Sequence, residues 1–471
     1  MDRRHNDRSS GNPQKWPREV KYLHHSRYRA NANRFLQERP RKLISAEEQF
    51  YSLNETTKMW NPVSDHAIAS EIAKTNPERN LNPDEISKMV RSLHLDEAVK
   101  ARPGMWLKRP AKPIHSTNIA LFKNGLLNLK TKELIPHTGA FFVTGTPAYD
   151  FDPDAECPAF MEFLNQVLDE SYHPTLQEWM GNLLTTATNH HKLMQLIGAS
   201  AGGKGTILRL CEGMVGTENT GATSMDSLSD SFGMEGLENV RLITIPEAKD
   251  ARNNRNSVLV KILNISGGDA VTINRKNKTH LRRPVPGKIM IAANEYLTML
   301  DNHDALKRRS LILRFERSFV GKEDTRLDSK LKAELPGIAN WAIAGLERLR
   351  REDRFTIGAA GRKASEEMAM AGSPIRRFIR DHVKVTEGKY DYIKTDELFD
   401  GYRTWAVERE RMPGQYILGR DRFLSGFFAT LTGRHVKVGK KSVKNAKGEW
   451  ESTRGVFGVV WSDNPSAGEF G

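Results

Sequence analysis

Two cysteines in 471 residues, Cys157 and Cys211, are too few and too far apart for a disulfide framework or a Cys-x-x-Cys metal knuckle. A reducing compartment is therefore expected. There is no apolar run of about 18 residues, so no membrane-spanning helix is expected. The polar, basic N-terminus lacks the apolar stretch of a secretory signal. The chain is also short of acid, with 58 Asp and Glu against 72 Lys and Arg, a net charge of +14. That surplus points to a polyanion partner, most simply nucleic acid. What is present is ordinary for a globular protein: 38% hydrophobic and 28% charged residues, in a length that holds roughly three domains.

The positive charge is unevenly placed. Residues 1–45 hold twelve Lys or Arg and four acids, Arg275 to Arg283 holds five bases and no acid, and Arg434 to Arg454 holds seven bases and two acids. A single such run is usually a solvated face; three separate runs strengthen the case for a polyanion.

One stretch organises the rest. Gly198-Ala199-Ser200-Ala201-Gly202-Gly203-Lys204-Gly205-Thr206 follows the apolar run Leu193 to Ile197 and precedes a helical pattern at Ile207, Leu208, Leu210, Cys211 and Met214. Strand, glycine loop with lysine, then helix suits a nucleotide triphosphate such as ATP: backbone N–H groups and the helix start face the phosphates, and the lysine adds a point charge. The pattern G-x-x-x-x-G-K-[ST] holds at Gly198, Gly203 and Lys204 and fails at Gly205, with the hydroxyl one residue late at Thr206. A flexible turn has the same composition, so the downstream segments decide. Arg241-Leu-Ile-Thr-Ile-Pro-Glu247 is an apolar strand ending in a carboxylate, about forty residues past Lys204, as a Mg²⁺ ion and an attacking water beside a γ-phosphate require. Lys288 to Asn294 is a third strand with an amide at its tip, and Asp304-Ala-Leu-Lys-Arg308-Arg309 precedes a fourth strand, Leu311 to Phe315. Between them, Val271 to Lys278 reads as a hairpin with a basic tip, suited to phosphate contact or simply to solvent.

The ordered set resembles a superfamily 3 helicase of the phage and plasmid replication type, similar to the poxvirus primase–helicase. It rests on Gly-Gly-Lys204-Gly-Thr, the strand ending in Glu247, Lys261 with Gly267-Gly268-Asp269, Ala293-Asn294, Asp304 to Arg309, and Glu334 to Ala342; upstream, Phe122 to Leu129 and Ala155 to Pro158 join it. The resemblance implies an AAA+-like P-loop ATPase core with a parallel sheet, assembled as a homo-hexameric ring with ATP between subunits. Carried over by position, Gly198, Gly202, Gly203, Lys204, Gly205 and Thr206 hold the nucleotide. Thr206 and Glu247 hold Mg²⁺, and Asn294 senses the γ-phosphate. Arg308 or Arg309 acts on a neighbouring subunit's nucleotide. Arg275, Lys276 and Lys278 line a pore. The implied activity is ATP-dependent translocation on single-stranded DNA, with unwinding at replication forks or origin DNA beside a separate primase or polymerase. The alternative is an origin-binding initiator that switches with nucleotide and does not unwind. Gly205 and the single Glu247, with Asp250 as a weaker second acid, keep that alternative open.

The flanks are read from pattern. Residues 1–32, with Arg3, Arg4, Arg8, Lys15 and Arg18, read as a disordered basic arm. Residues 33–185 read as an α-rich N-terminal domain. In it, Ser45-Ala-Glu-Glu48 and Asn82-Pro-Asp-Glu85 start helices, Phe50, Tyr51 and Trp60 form a small core, and Asn124-Gly125 turns a hairpin. Asp150-Phe-Asp-Pro-Asp154 is read as a turn capping the next helix, so no primase metal centre is expected in this chain. Residues 186–355 form the ATPase core. Residues 356–471 read as a winged-helix-like domain, with strands His435–Val438 and Gly455–Trp461 joined by a basic loop whose Lys440 and Lys441 meet DNA phosphate.

Overall fold

The hairpin that the sequence disguises comes first. In the computed structural model, Leu43–Ala46 is strand β1 and Gln49–Leu53 is β2, paired antiparallel with Ala46 opposite Gln49. Glu47 and Glu48 form the two-residue turn, at φ 51° and 61°. The expected helix start at Ser45 is therefore wrong. Aromatic residues at 50 and 51 favour a pleated surface, and the Ser45 hydroxyl bonds His94 Nδ1 at 2.7 Å instead of a helix amide. Strand β3 (Trp60–Val63) completes the sheet, and helices α1 (Asp65–Thr75) and α2 (Pro83–Asp96) follow. Alternation along β2 sends Phe50 to one core, with Ile68, Ile72 and Met89, and Tyr51 to another, with Trp60 and Phe142. Asn82 and Glu85 form the expected capping box of α2. Strands β4 (Ile119–Phe122) and β5 (Gly125–Asn128) flank Asn124, and β6 (Leu134–Ile135) pairs with β5. The N-terminal region thus carries two small three-stranded sheets beside its helices.

The structure describes residues 28, 30–32, 34–39, 42–75, 81–108, 110, 114–248, 255–296, 305–322, 324–388, 390–412, 414, 417–431, 435–444 and 450–462. Residues 1–27 of the basic arm, Asp250 and Asp304 lie outside them; the end of the arm, expected to be disordered, is helical at 30–32, with Ala32 buried in the Phe50 core. The described residues divide into two units, those within 1–119 and 124–146 and those within 120–123 and 147–471. No helix among them is long and apolar enough to cross a membrane.

The second unit opens with α3 (Pro158–Val167) and α4 (His173–Leu183). The Asp150–Asp154 segment is a turn, closed by Asp154 N–H donating to Asp152 Oδ1 at 3.0 Å, but it does not cap α3. The Glu334 carboxylate does so, accepting from Ala159 N at 3.0 Å and Phe160 N at 2.8 Å. Then come β7 (Leu193–Gly198), α5 (Lys204–Val215), β8 (Thr220–Ala222), α6 (Met225–Ser229), β9 (Leu242–Ile245), α7 (Arg255–Gly267), the hairpin β10 (Ala270–Arg275) and β11 (Lys278–Pro284), β12 (Lys288–Ala293), α8 (Ala305–Arg309) and β13 (Ser310–Phe315). Five of these strands form a parallel sheet in the order β13-β7-β12-β9-β8. Buried strands of a parallel sheet read as continuous apolar runs, and Ile243, Ile245, Ile289 and Ile291 pack with Val258, Ile262 and Ile265 of α7 in one core.

Helices α9 (Leu327–Ala333) and α10 (Leu335–Glu352) follow β13, with Leu335 against Gly213 of α5. Helix α10 lies so close to α4 that a Cβ on Gly181 would stand 2.1 Å from the Ala342 carbonyl. Buried Glu178 ties the contact, accepting from Arg348 Nε at 2.6 Å and from Thr356 N at 2.7 Å.

The C-terminal part holds α11 (Ala359–Gly372), α12 (Pro374–His382), β14 (Val383–Val385), β15 (Tyr392–Lys394), α13 (Thr395–Thr404), α14 (Arg420–Thr430), β16 (Lys437–Lys444), β17 (Trp450–Phe457) and β18 (Val459–Trp461). An aromatic core joins its helices, with Tyr402 stacked on Phe423 at 4.4 Å and Phe378 edge-on to both. The expected basic loop after Val438 is mostly strand: β16 and β17 stay in register from Lys437–Phe457 to Lys444–Trp450. Ladder hydrogen bonds are made by the backbone, so lysine-rich residues continue the strand without apolar alternation.

Candidate nucleotide-binding cleft

The site is built at the carboxyl ends of the parallel strands. The chain leaves β7, runs to the far edge at β8, returns through β9 and β12, and crosses to β13 on the other side of β7. Crevices at such reversals, beyond the strand ends, are where open α/β sheets bind ligands. A cleft of about 1420 Å³ lies there, lined by Gly202 to Thr206, Glu212, Thr244, Glu247, Asn294 and Tyr296.

The glycines are set by contact as well as by dihedral. Gly198 has φ 142°, and a Cβ there would stand 2.0 Å from the Phe315 carbonyl of β13. Gly203 has φ 97° and serves as the N-cap of α5, with no side-chain cap in front of the helix amides. A Cβ on Gly202 would meet the Arg317 and Ala199 carbonyls at 2.9 and 3.0 Å. The loop therefore presents backbone to the cleft.

Lys204 is 8% exposed. Its ammonium donates to the Gly198 carbonyl at 2.6 Å and the Ala199 carbonyl at 2.5 Å. Burial lowers its pKa from the usual lysine value. It is a cation held by exchangeable backbone partners at the mouth of a helix N-terminus, a combination that attracts anions.

Glu247 follows β9 at φ 50° and is exposed in the same cleft. A non-glycine residue in the left-handed region is strained, and such strain clusters at functional sites. Asn294, just past β12, is also exposed there. Lys204, Thr206, Glu247 and Asn294 are thus brought to one cleft from separate segments.

Three residues of the cleft escape the sequence patterns. Glu212 stands seven residues after Gly205, on the same helix face, and its carboxylate accepts from the Thr244 hydroxyl at 3.1 Å. Thr244 is the polar residue inside the apolar run of β9, which is the signal that marks it. Arg209 lies across Gly205, 3.2 Å from where a Cβ would be. Its guanidinium donates to Asp328 at 2.9 and 3.0 Å and to the Thr206 hydroxyl at 3.4 Å. At the far rim, the Tyr296 hydroxyl donates to Glu367 of α11 at 3.0 Å, and Arg314 pairs with the same carboxylate.

Other expected site residues lie elsewhere. Arg308 and Arg309 do not line the cleft. Arg308 is exposed, whereas Arg309 turns inward and donates to the Leu263 carbonyl. Arg275 does not offer itself to a polyanion: it is 8% exposed and donates to the Thr279 carbonyl at 3.0 and 2.6 Å, closing its own hairpin. The alternation of β10 turns it inward while Lys276 and Lys278 at the tip are exposed. Lys440 is exposed, but Lys441 folds over the Tyr392 ring at 5.2 Å and donates to the Tyr390 carbonyl at 3.3 Å, so it does not share Lys440's face.

Two family models match this chain. Residues 32–169 match the one described as D5 N terminal like. Residues 196–309, from the glycine loop to Arg309, match a family of unknown function, DUF5906. The fold is that of the NrS-1 C terminal region. Its apo structure aligns with a TM-score of 0.53 at 14% identity, covering 90% of this chain and 98% of that one. An A form apo structure of the same region aligns at 0.50 and 12% identity, with the same coverage. The D5-like segment thus precedes the parallel sheet, and DUF5906 spans the cleft's glycine loop, Glu247 and Asn294.

Proposed function

We propose that this chain is a replication protein of a phage or plasmid that hydrolyses ATP to drive its own movement on single-stranded DNA, as a homo-hexameric ring. One observation carries the reading: Lys204, at the N-terminus of α5 and bonded among the described residues only to loop carbonyls, shares a cleft with Glu247 and Asn294 at the carboxyl ends of parallel strands. The D5-like segment and the likeness to the NrS-1 C terminal region support it, as does the surplus of positive charge.

In this reading the phosphates displace the Gly198 and Ala199 carbonyls from the Lys204 ammonium and take the free amides of Gly203 to Thr206. Glu247 orients the attacking water, and Asn294 bonds the γ-phosphate from the next strand tip. Catalysis is then positioning and charge stabilisation. Among the described residues no three His, Cys, Asp or Glu gather as a metal cage. Glu247, Glu212 and the Thr206 hydroxyl supply oxygen donors of the kind Mg²⁺ takes when most of its shell is phosphate and water. Bound there, Mg²⁺ would neutralise phosphate charge. Arg308, being exposed, is the better candidate for a finger reaching a neighbouring subunit's nucleotide. The C-terminal helices with the β16–β17 hairpin serve as a winged-helix-like DNA contact.

The Thr206 hydroxyl, engaged by Arg209, favours a second reading, a nucleotide-switched initiator with little turnover. ATPase rate with and without single-stranded DNA separates the two. The motor reading expects stimulation by DNA and its loss in Lys204→Ala; a DNA-independent rate that survives Lys204→Ala overturns it.

A further inference from the structure

The hairpin β16–β17 has two unlike faces. In an antiparallel pair, directly opposed residues share a face. The register puts Val438 opposite Val456, Lys440 opposite Arg454, Ser442 opposite Ser452, and Lys444 opposite Trp450. The other face carries Lys441 and Thr453, and it is occupied: Lys441 lies over Tyr392, and the Tyr392 hydroxyl bonds Thr453 Oγ1 at 2.9 Å. On the first face Lys440, Ser442, Ser452 and Arg454 are all exposed, and Trp450 is 72% exposed.

Lys440 directly opposite Arg454 is a cost to the sheet, since like charges in register repel. Neither forms an ion pair among the described residues, where salt bridges elsewhere in the chain are numerous. The same face ends in the Trp450 indole, which is 72% exposed. Two cations in register beside an exposed aromatic ring suit one kind of ligand, a strand that carries phosphates along one edge and unstacked aromatic rings along the other. A duplex offers the phosphates but keeps its bases stacked.

We infer that this face is a platform for single-stranded DNA, with Lys440 and Arg454 clamping phosphate, Ser442 and Ser452 adding hydroxyl donors, and Trp450 stacking on a base. The inference rests on the reading of the chain as a DNA-handling protein but not on ATP turnover. It assigns Trp450 and Arg454 a role, separates Lys440 from Lys441, and makes the contact sequence-tolerant, because every base has a stacking face.

The test is fluorescence anisotropy of the full chain, without nucleotide, on labelled oligo-dT of roughly 20 nucleotides and on a duplex of equal length. Trp450→Ala should weaken oligo-dT binding about tenfold and leave duplex binding within about twofold, with Trp450→Phe close to the parent. Lys440→Ala with Arg454→Ala should weaken both ligands and reduce the salt slope on oligo-dT by about 1.4. Lys441→Ala, on the occupied face, should change neither beyond about twofold. Equal losses from Lys441→Ala and Lys440→Ala would overturn the inference, as would a Trp450→Ala effect that is absent or the same on duplex. Binding of oligo-dT unaffected by every variant would overturn it as well. Lys204→Ala should retain this binding: loss of DNA-stimulated ATP turnover alone counts against the motor, whereas loss of the Trp450 effect alone counts against the platform.

Discussion

Lys204 and Lys288 stand at opposite ends of one parallel sheet, and both exchange water for backbone carbonyls. Lys204 bonds the Gly198 and Ala199 carbonyls, at a loop that opens on the cleft. Lys288, the first residue of β12, bonds the Thr185 carbonyl at 2.8 Å, and its neighbour Arg241 bonds the Leu184 carbonyl at 3.2 Å. Those two carbonyls follow the C-terminus of α4, the negative end of its dipole. The two cations are sealed: burial lowers Arg241 to about 10, and burial with the adjacent Arg241 charge lowers Lys288 to about 7. A buried cation marks a site only where its partners can be replaced. The carboxyl end of the sheet permits that, and the amino end fastens a helix to it.

The comparison is broken most forcefully at the open end. Lys204→Ala should lower ATP turnover on the order of a thousandfold while the melting temperature moves little, because only loop carbonyls lose a partner. A large fall in melting temperature, read by differential scanning calorimetry, would make Lys204 a fastener like Lys288.

The sealed end predicts a pH dependence. Lys288 holds its proton to about 7 when folded and to 10.5 when free. Between those values the unfolded chain binds more protons, so stability rises with pH across that window, and the penalty is fully present below it. A gain of roughly 3 kcal/mol by urea unfolding is expected, and Lys288→Met should flatten it. A wild-type curve already flat from pH 7 to 10 would show that the amine is not sealed.

Glu212→Gln should lower turnover about tenfold with a smaller loss of nucleotide affinity, since the carboxylate, placed beside the glycine loop by Thr244, would hold Mg²⁺ rather than the nucleotide itself. Isothermal titration with a non-hydrolysable analogue checks the affinity. The smallest effect belongs to Asp328→Asn. Its pair with Arg209 is half-exposed on both sides, so stability should change by less than about 1 kcal/mol.

These residues differ in how legible they are. The glycine loop, Glu247 and Asn294 are readable because each is local: an apolar strand and the residue at its tip. Glu212, Arg209 and Asp328 are not, since their roles depend on partners 32 to 119 residues away. Arg275 misleads for the opposite reason, because composition counts it as basic while the period of β10 buries it. Ser45 misleads as well: its downstream glutamates fit a helix start, but both occupy the left-handed turn of a hairpin whose flanking aromatics fill two separate cores. In the C-terminal hairpin, composition locates the lysines, and only the register sorts them by face.

The Phe315 carbonyl above Gly198 carries a consequence for how the cleft comes into being. Strand β13 is the last of the five sheet strands to be translated, yet it pairs along the whole of β7, and Glu334, later still, caps the helix whose Val167 and Phe163 back Gly203. A nascent chain halted at Arg309 has made the glycine loop and the strand tips at Glu247 and Asn294, but it lacks the lining from Phe319 to Lys330 and leaves one edge of β7 bare, open to any strand that meets it. The glycine loop, though encoded near the middle, is finished late in synthesis, and the matched segment 196–309 is a unit of sequence rather than a unit of folding.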